Sequence, residues 1–299
     1  MKKFIIKIAL YSVVVLLVAN GIALLSLHFL GKSQLYKPQF VKNGVKEKQF
    51  DYVVLGSSTG LTTLDTKQID STLHSSGLNI SIDDSSLNTH YLMLQYFYQQ
   101  QKSTKYLVLA VTPWDLANEY PVLSDNDYRF LSEQATPVVH EYYQSISYKG
   151  FPVLKYSAYL PILGVSYYNT EVFYPSLFTV LQPQKRNRFD DRGNYSYPGT
   201  KSPKETNFST VTAEIKNPYF EKIQLFCSQK SIQLIVYQSP LYQKKVVFNG
   251  EELVINHSDL LQSASLFYDN LHVNGGGRTK CSAAFAEQFE KLLDRGEAK

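Results

Sequence analysis

The chain has 299 residues, of which 44% are hydrophobic and 19% charged, with a formal net charge of +4. This composition suits a folded protein with one large domain or two small ones and excludes wholesale disorder. No dense Lys/Arg stripe accompanies the modest charge, which argues against a nucleic-acid partner.

Residues 1–31 predict a transmembrane anchor. Lys2, Lys3 and Lys7 precede or open an apolar run, and no Asp, Glu, Lys or Arg follows from Ile8 until Lys32. A helix needs about 20 such residues to cross a bilayer. The lysines favour an N-terminus inside, with the bulk of the chain outside the cytoplasm, in the periplasm or at the cell surface. A cleaved signal peptide is the alternative, but its apolar segment is about 7–15 residues with a small-x-small site behind it. Here the run is longer and residues 26–31, SLHFLG, make a poor site. Residues 32–50 are polar and basic and read as a stem, their lysines solvated or near anionic lipid head groups.

Residues 51–299 read as one α/β domain. Tyr52-Val53-Val54-Leu55 is a short apolar run ended by Gly56, Ser57 and Ser58, which suits a buried strand of a parallel sheet. A helix is expected over 66–76, a second strand over 78–82, a helix over 89–101 and a third strand over 105–111. That alternation predicts a doubly wound, mostly parallel sheet in a three-layer sandwich, with ligands at the carboxyl ends of the strands. From about 118 to 206 the alternation fails. This stretch holds 12 of the 23 tyrosines and reads as an insertion over the upper edge of the sheet, a candidate acceptor-binding surface or a structural subdomain. Order resumes with a helix over 211–230, strands over 232–237 and 252–256, and a closing helix over 279–293.

Two short motifs carry chemistry. Ser57 and Ser58 follow the first strand, and Asp269-Asn270-Leu271-His272 stands just before the closing helix. A serine hydroxyl is a poor nucleophile unless an imidazole takes its proton, and the imidazole is held in one tautomer by a carboxylate. Asp and His three apart on a turn meet the second need locally. Taken singly, each residue has a plainer use: a serine caps the following helix, an aspartate makes a turn, and a histidine packs at the surface. The reading rests on all three together.

The two motifs resemble the SGNH (GDSL-like) hydrolase superfamily, in which an early Gly-x-Ser follows the first strand and a late Asp-x-x-His precedes the last helix. The closest likeness is to its membrane-anchored branch, which handles acyl groups on bacterial surface polysaccharides. There the first motif is often Gly-Ser-Ser and the late one is followed by Asn and Gly, as in His272-Val273-Asn274-Gly275. The likeness spans roughly residues 50 to 295 and implies a fold of the flavodoxin-like kind. It implies Ser58, the second residue after the glycine, as nucleophile, His272 as base and Asp269 as its orienting acid. It further implies O-acetyl transfer to a polysaccharide or other glycan acceptor, with a multi-spanning membrane protein supplying the acyl group.

The oxyanion hole departs from the family pattern. One donor is expected in the Ser58 N–H. The superfamily adds a glycine N–H after the second strand, where this chain has Asp84-Ser85-Ser86, and an asparagine after the third, where it has Thr112-Pro113-Trp114-Asp115. Ser85 or Ser86 N–H and the Asn88 side chain are the candidate substitutes. Such departures leave a second expectation standing, a non-catalytic polysaccharide-binding or assembly protein that kept the fold. Transfer and hydrolysis differ only in whether the site excludes water, which the sequence does not state.

No metal-ligand spacing occurs, and no metal or cofactor is expected. Cys227 and Cys281 either pair in an oxidising compartment or stay buried and free, the commoner fate. Asn79, Asn194, Asn207 and Asn256 each fit Asn-x-Ser, a pattern short enough to arise by chance.

Overall fold

The structure, a computed structural model, describes residues 1–199, 202–250 and 252–296. These form two compact units, one made of Met1–Val45 and Asp127–Asn187, the other of Lys46–Asn126 and the described residues from Arg188 onward.

The second unit is an α/β fold around a parallel sheet. Its strands are β1 (Gln49–Gly56), β2 (Gly77–Asn79), β3 (Ser103–Val111), β4 (Ser209–Ala213), β5 (Gln233–Gln238), β6 (Lys244–Phe248) and β7 (Val254–Asn256). Five of them pair in the order β2-β1-β3-β5-β7, every neighbour parallel. The order reverses at β1, the doubly wound arrangement whose ligand crevice opens beyond the carboxyl ends of the two strands at the reversal, β1 and β3.

Burial on both faces explains the near-continuous apolar strands. Residues 52–56 of β1 and 107–111 of β3 are all buried. Tyr52, Val54, Val108 and Ala110 share a core with Phe285 and Phe289 of the closing helix, Gly275–Gly296. Val53, Leu55, Leu107 and Leu109 alternate with them and face the other way. On that side lie the helices Leu87–Gln99 and Pro218–Gln229, packed together through Tyr98 and Phe226, whose rings are 5.3 Å apart. The sheet thus has helices on both faces, as the strand-helix alternation predicts.

Gly56 is required by the closeness of β1 to β3, because a Cβ there would sit 2.6 Å from the Ala110 carbonyl oxygen. Gly56→Ala is expected to cost about 1–3 kcal/mol, the usual range for overpacking. Gly150→Ala, where the added Cβ would meet nothing within 4 Å beyond its chain neighbours, is expected to change stability by less than about 0.5 kcal/mol. Urea unfolding of the two variants against the parent checks both.

The expectation of a helix over 211–230 is corrected at its start. β4 pairs in parallel with β6 as a separate two-stranded sheet, Val211 opposite Val246. Thr210, Val211 and Thr212 are β-branched and favour the extended chain. The helix begins only at Pro218, where the Asn217 side chain accepts from the Tyr219 N–H. Cys227 and Cys281 are both free and buried, and burial pushes both thiols up to about 12.

The first unit is helical. Its N-terminal helix, Lys2–Gly31, is long and apolar enough to cross a membrane. Residues 1–18 are exposed all round, whereas Ala23, Leu27 and Leu30 are buried. They pack among the helices Pro161–Tyr167 and Tyr174–Leu181 and the turn Asp127–Glu133.

The segment read as a solvated stem is folded instead. Leu35, Tyr36, Phe40 and Val41 are buried within this unit, Gln39 donates to the Arg129 carbonyl at 2.9 Å, and Lys42 pairs with Glu133 at 2.9 Å. Its apolar residues are too widely spaced among lysines to read as a core segment, and the partners that bury them lie some ninety positions on. The Tyr-rich stretch expected as one insertion over 118–206 divides. Its helical part, Asp127–Asn187, packs with the N-terminal segment, while 118–126, 188–199 and 202–206 go with the sheet. Tyr142 and Tyr143 are core residues there, with the Tyr143 hydroxyl donating to the Asp127 carbonyl at 2.6 Å.

Candidate active site

β1 ends at Gly56, and Ser57 takes an extended conformation as the N-cap of a short helix, Ser58–Thr63. Gly60 lets this helix press onto the sheet, since a Cβ there would meet Ala110 Cβ of β3 at 3.0 Å and Ser81 Oγ, just past β2, at 2.7 Å. Ser58 is the first helical residue. Its N–H has no acceptor within the helix, as for every first-turn amide. Ser57 is buried with its hydroxyl 3.4 Å from Thr59 Oγ1, whereas Ser58 is half-exposed at the carboxyl end of β1.

His272 arrives at the same place from 214 positions away. Its Nε2 lies 2.8 Å from Ser58 Oγ. Its Nδ1 lies 2.9 and 3.0 Å from the two Asp269 carboxylate oxygens. Asp269 Oδ1 also accepts from the Leu271 and His272 N–H groups at 2.8 and 2.9 Å, so the tetrapeptide closes a turn on its own carboxylate. Burial works against the charge on Asp269. The hydrogen bonds from His272 and the Leu271 N–H together outweigh it and hold the carboxyl below its ordinary range. A charged carboxylate at Nδ1 keeps the proton on that nitrogen and leaves Nε2 to accept from the serine hydroxyl.

Asn274 secures the turn to the closing helix. Its amide donates to the Ser265 carbonyl at 2.8 Å, and its oxygen accepts from the Gly276 and Gly277 N–H groups. The helix therefore starts at Gly275, four residues before the expected 279. Gly277 is needed there, because a Cβ would lie 2.2 Å from the Leu266 carbonyl oxygen.

The candidate oxyanion residues divide. The Ser58 N–H sits beside its own hydroxyl. Ser85 is buried, with its hydroxyl donating to the Ile82 carbonyl and lying 3.1 Å from His90 Nε2. The Ser86 hydroxyl contacts Asn88 Oδ1 and Ser124, and the buried Asn88 amide donates to the Val122 carbonyl at 3.1 Å. These side chains hold the loop in shape, which leaves backbone N–H groups as the donors it offers.

His90 makes that loop acid-sensitive. Burial holds its pKa down at about 3, against the ordinary value of 6.5. The folded protein keeps the ring neutral while the unfolded chain takes up a proton below about 6.5. Stability is therefore complete above that pH and is lost as pH falls from there towards 3. Between pH 6.5 and 5 the loss is on the order of 2 kcal/mol. Urea unfolding at pH 7 and pH 5 is expected to show that extra loss in the parent and not in His90→Gln.

An aromatic wall that sequence reasoning missed stands beside the histidine. The Tyr197 ring lies 5.0 Å from the His272 ring and stacks on Tyr268 at 4.3 Å, the planes 8° apart. Burial, then the negative charge of Asp83, pushes the Tyr197 hydroxyl up to about 12, so it stays protonated at neutral pH. Nothing local marks this tyrosine among the others of its stretch.

Among the described residues no group of three or more His, Cys, Asp or Glu is placed to hold a metal ion. The arrangement at Ser58 can activate a hydroxyl without one. Comparison with known proteins returned no matching family model and no matching curated protein.

Proposed function

We propose that this chain is a membrane-anchored, SGNH-like serine O-acyltransferase or esterase that acts on acyl groups of an extracytoplasmic polysaccharide. The observation that carries the reading is the continuous set of hydrogen bonds from Ser58 Oγ through the His272 ring to Asp269. Three residues with plainer uses when taken singly have no structural need to align in this order at the crevice of a parallel sheet.

In this reading Ser58 Oγ attacks an acyl carbonyl carbon while His272 Nε2 takes the hydroxyl proton. The imidazolium is stabilised by Asp269 and then returns the proton to the leaving oxygen. An acyl ester remains on Ser58. A second hydroxyl, of a sugar for transfer or of water for hydrolysis, gives its proton to His272 and attacks that ester, which frees Ser58. The Ser58 N–H is the first donor to the tetrahedral oxyanion. The stacked Tyr197 and Tyr268 offer the apolar face of a sugar ring a flat surface beside the base. A multi-spanning partner would supply the acyl group.

Retention of the N-terminal helix is supported by its packing. Cleavage behind it would remove Ala23, Leu27 and Leu30 from the core of the first unit. The lysines at its start support an N-terminus inside.

The test uses the full chain in detergent with an activated acetyl ester. An acetyl adduct on Ser58 by mass spectrometry, and its movement to added glycan, supports transferase. Loss of the adduct to water alone supports esterase. Polysaccharide binding with no adduct supports the non-catalytic reading, which the engaged side chains of Ser85, Ser86 and Asn88 favour.

A further inference from the structure

The helix Tyr174–Leu181 is built inside out. It buries Ser176 and Thr179 and exposes Tyr174, Leu177, Phe178, Val180 and Leu181, the last 84% exposed. A water-facing helix does the reverse, with polar residues outward and large apolar ones inward. From Leu160 to Leu181 the only charged residue is Glu171. The two buried hydroxyls bond to backbone carbonyls of their own turn, Ser176 to Phe173 and Thr179 to Ser176. Small residues inside, with hydroxyls satisfied within the helix, are what close packing in lipid uses.

The level of this helix is set by its contacts with the N-terminal helix. Asn20 Oδ1 accepts from the Ile162 N–H at 3.1 Å, so the helix Pro161–Tyr167 starts against Asn20. The helix Tyr174–Leu181 packs on the same N-terminal helix. A rise of about 1.5 Å per residue puts Asn20 roughly 18 Å beyond Ile8, past the middle of a hydrocarbon core about 30 Å thick. If the core is counted from Phe4 instead, about 20 residues reach Ala23, and Asn20 still lies inside it. Either way, the start of the helix Pro161–Tyr167, held at Asn20, lies at the depth of the leaflet on the side away from the N-terminus.

We infer that residues 160–181 form a collar embedded in that leaflet around the spanning helix. The occupant of its exposed face is lipid: acyl chains against Leu177, Val180 and Leu181, and head groups near Tyr167, Tyr174 and the cations that follow. Tyrosines at 61–67% exposure sit where amphipathic rings gather in membranes. Lys185 Nζ lies 4.2 Å from the centre of the Phe178 ring, an apolar stem covered and a charge carried back towards the polar side. The collar would fix the height and tilt of the first unit, which a single flexible tether does not. This inference rests on the anchored reading of the N-terminal helix.

The test places a spin label at Leu177→Cys, Leu181→Cys, Val15→Cys and Lys216→Cys in the full chain, reconstituted in vesicles of phosphatidylcholine and phosphatidylglycerol. Collision with oxygen, which enters lipid, is compared with collision with a nickel chelate, which stays in water. Circular dichroism checks that each labelled variant keeps the parent fold, and the unsubstituted protein gives the background from the buried Cys227 and Cys281. Leu177 and Leu181 are expected to match Val15, open to oxygen and closed to nickel, with Lys216 the opposite. Lipid-like behaviour at Val15 with water-like behaviour at Leu177 and Leu181 overturns the collar and leaves the anchor. Water-like behaviour at Val15 overturns both. Shielding of Leu177 and Leu181 from both probes overturns the collar in favour of a second protein copy on that face.

Discussion

Ser58→Ala is expected to lower acyl transfer or hydrolysis by about 10⁴- to 10⁶-fold, because removal of a nucleophile leaves only the binding and oxyanion contributions. Stability should change by less than about 0.5 kcal/mol, since the side chain is half-exposed and does not cap the helix. Ser57 holds the N-cap position and is untouched by the change. The measurement is the initial rate with an activated ester, together with the mass of the acylated protein. Ser57→Ala is the control and should keep its adduct. An adduct on Ser57, or an undiminished rate in Ser58→Ala, would end the assignment of the nucleophile.

Asp269→Asn is expected to cost about 10³- to 10⁴-fold in rate with the loop intact. The asparagine oxygen can still accept from the Leu271 and His272 N–H groups, which preserves the turn. Its NH₂, however, would face His272 Nδ1 where the second carboxylate oxygen now lies at 3.0 Å. A donor there favours the tautomer with the proton on Nε2, and that nitrogen can no longer accept from Ser58. The imidazolium of the transition state also loses its counter-charge. Steady-state rates, with denaturant unfolding to show that stability is retained, check the prediction. A variant with full activity would mean that Asp269 only shapes the turn.

The legible parts of this chain were those whose partners lie close in sequence. β1 and β3 announced themselves as apolar runs closed by Gly56-Ser57 and Thr112-Pro113, and their depth in the sheet follows from that composition. Asp269 and His272 meet within one turn, so their pairing could be read from spacing three. Other features were not legible. β4 runs closely before the helix Pro218–Gln229, and although Thr210, Val211 and Thr212 lean towards the extended chain, a segment of five residues needs its pairing with β6 to be a strand. The oxyanion candidates Ser86 and Asn88 are both polar and both near the second strand, yet which way a side chain turns depends on Ser124 and Val122, more than thirty positions on.

By itself, then, the amino-acid order determined that the first helix is apolar enough for a bilayer, that a parallel sheet with helices follows, and that a serine stands at the end of one of its strands. These are consequences of local composition and of periods of two and 3.6. Only the tertiary structure decided that Ser58 and His272 touch at 2.8 Å, that Tyr197 stands beside that imidazole, and that Leu35, Tyr36, Phe40 and Val41 are core rather than stem. Contacts of that kind depend on loop closure over tens to hundreds of residues and on which buried surfaces fit one another. No window of neighbouring residues contains that information.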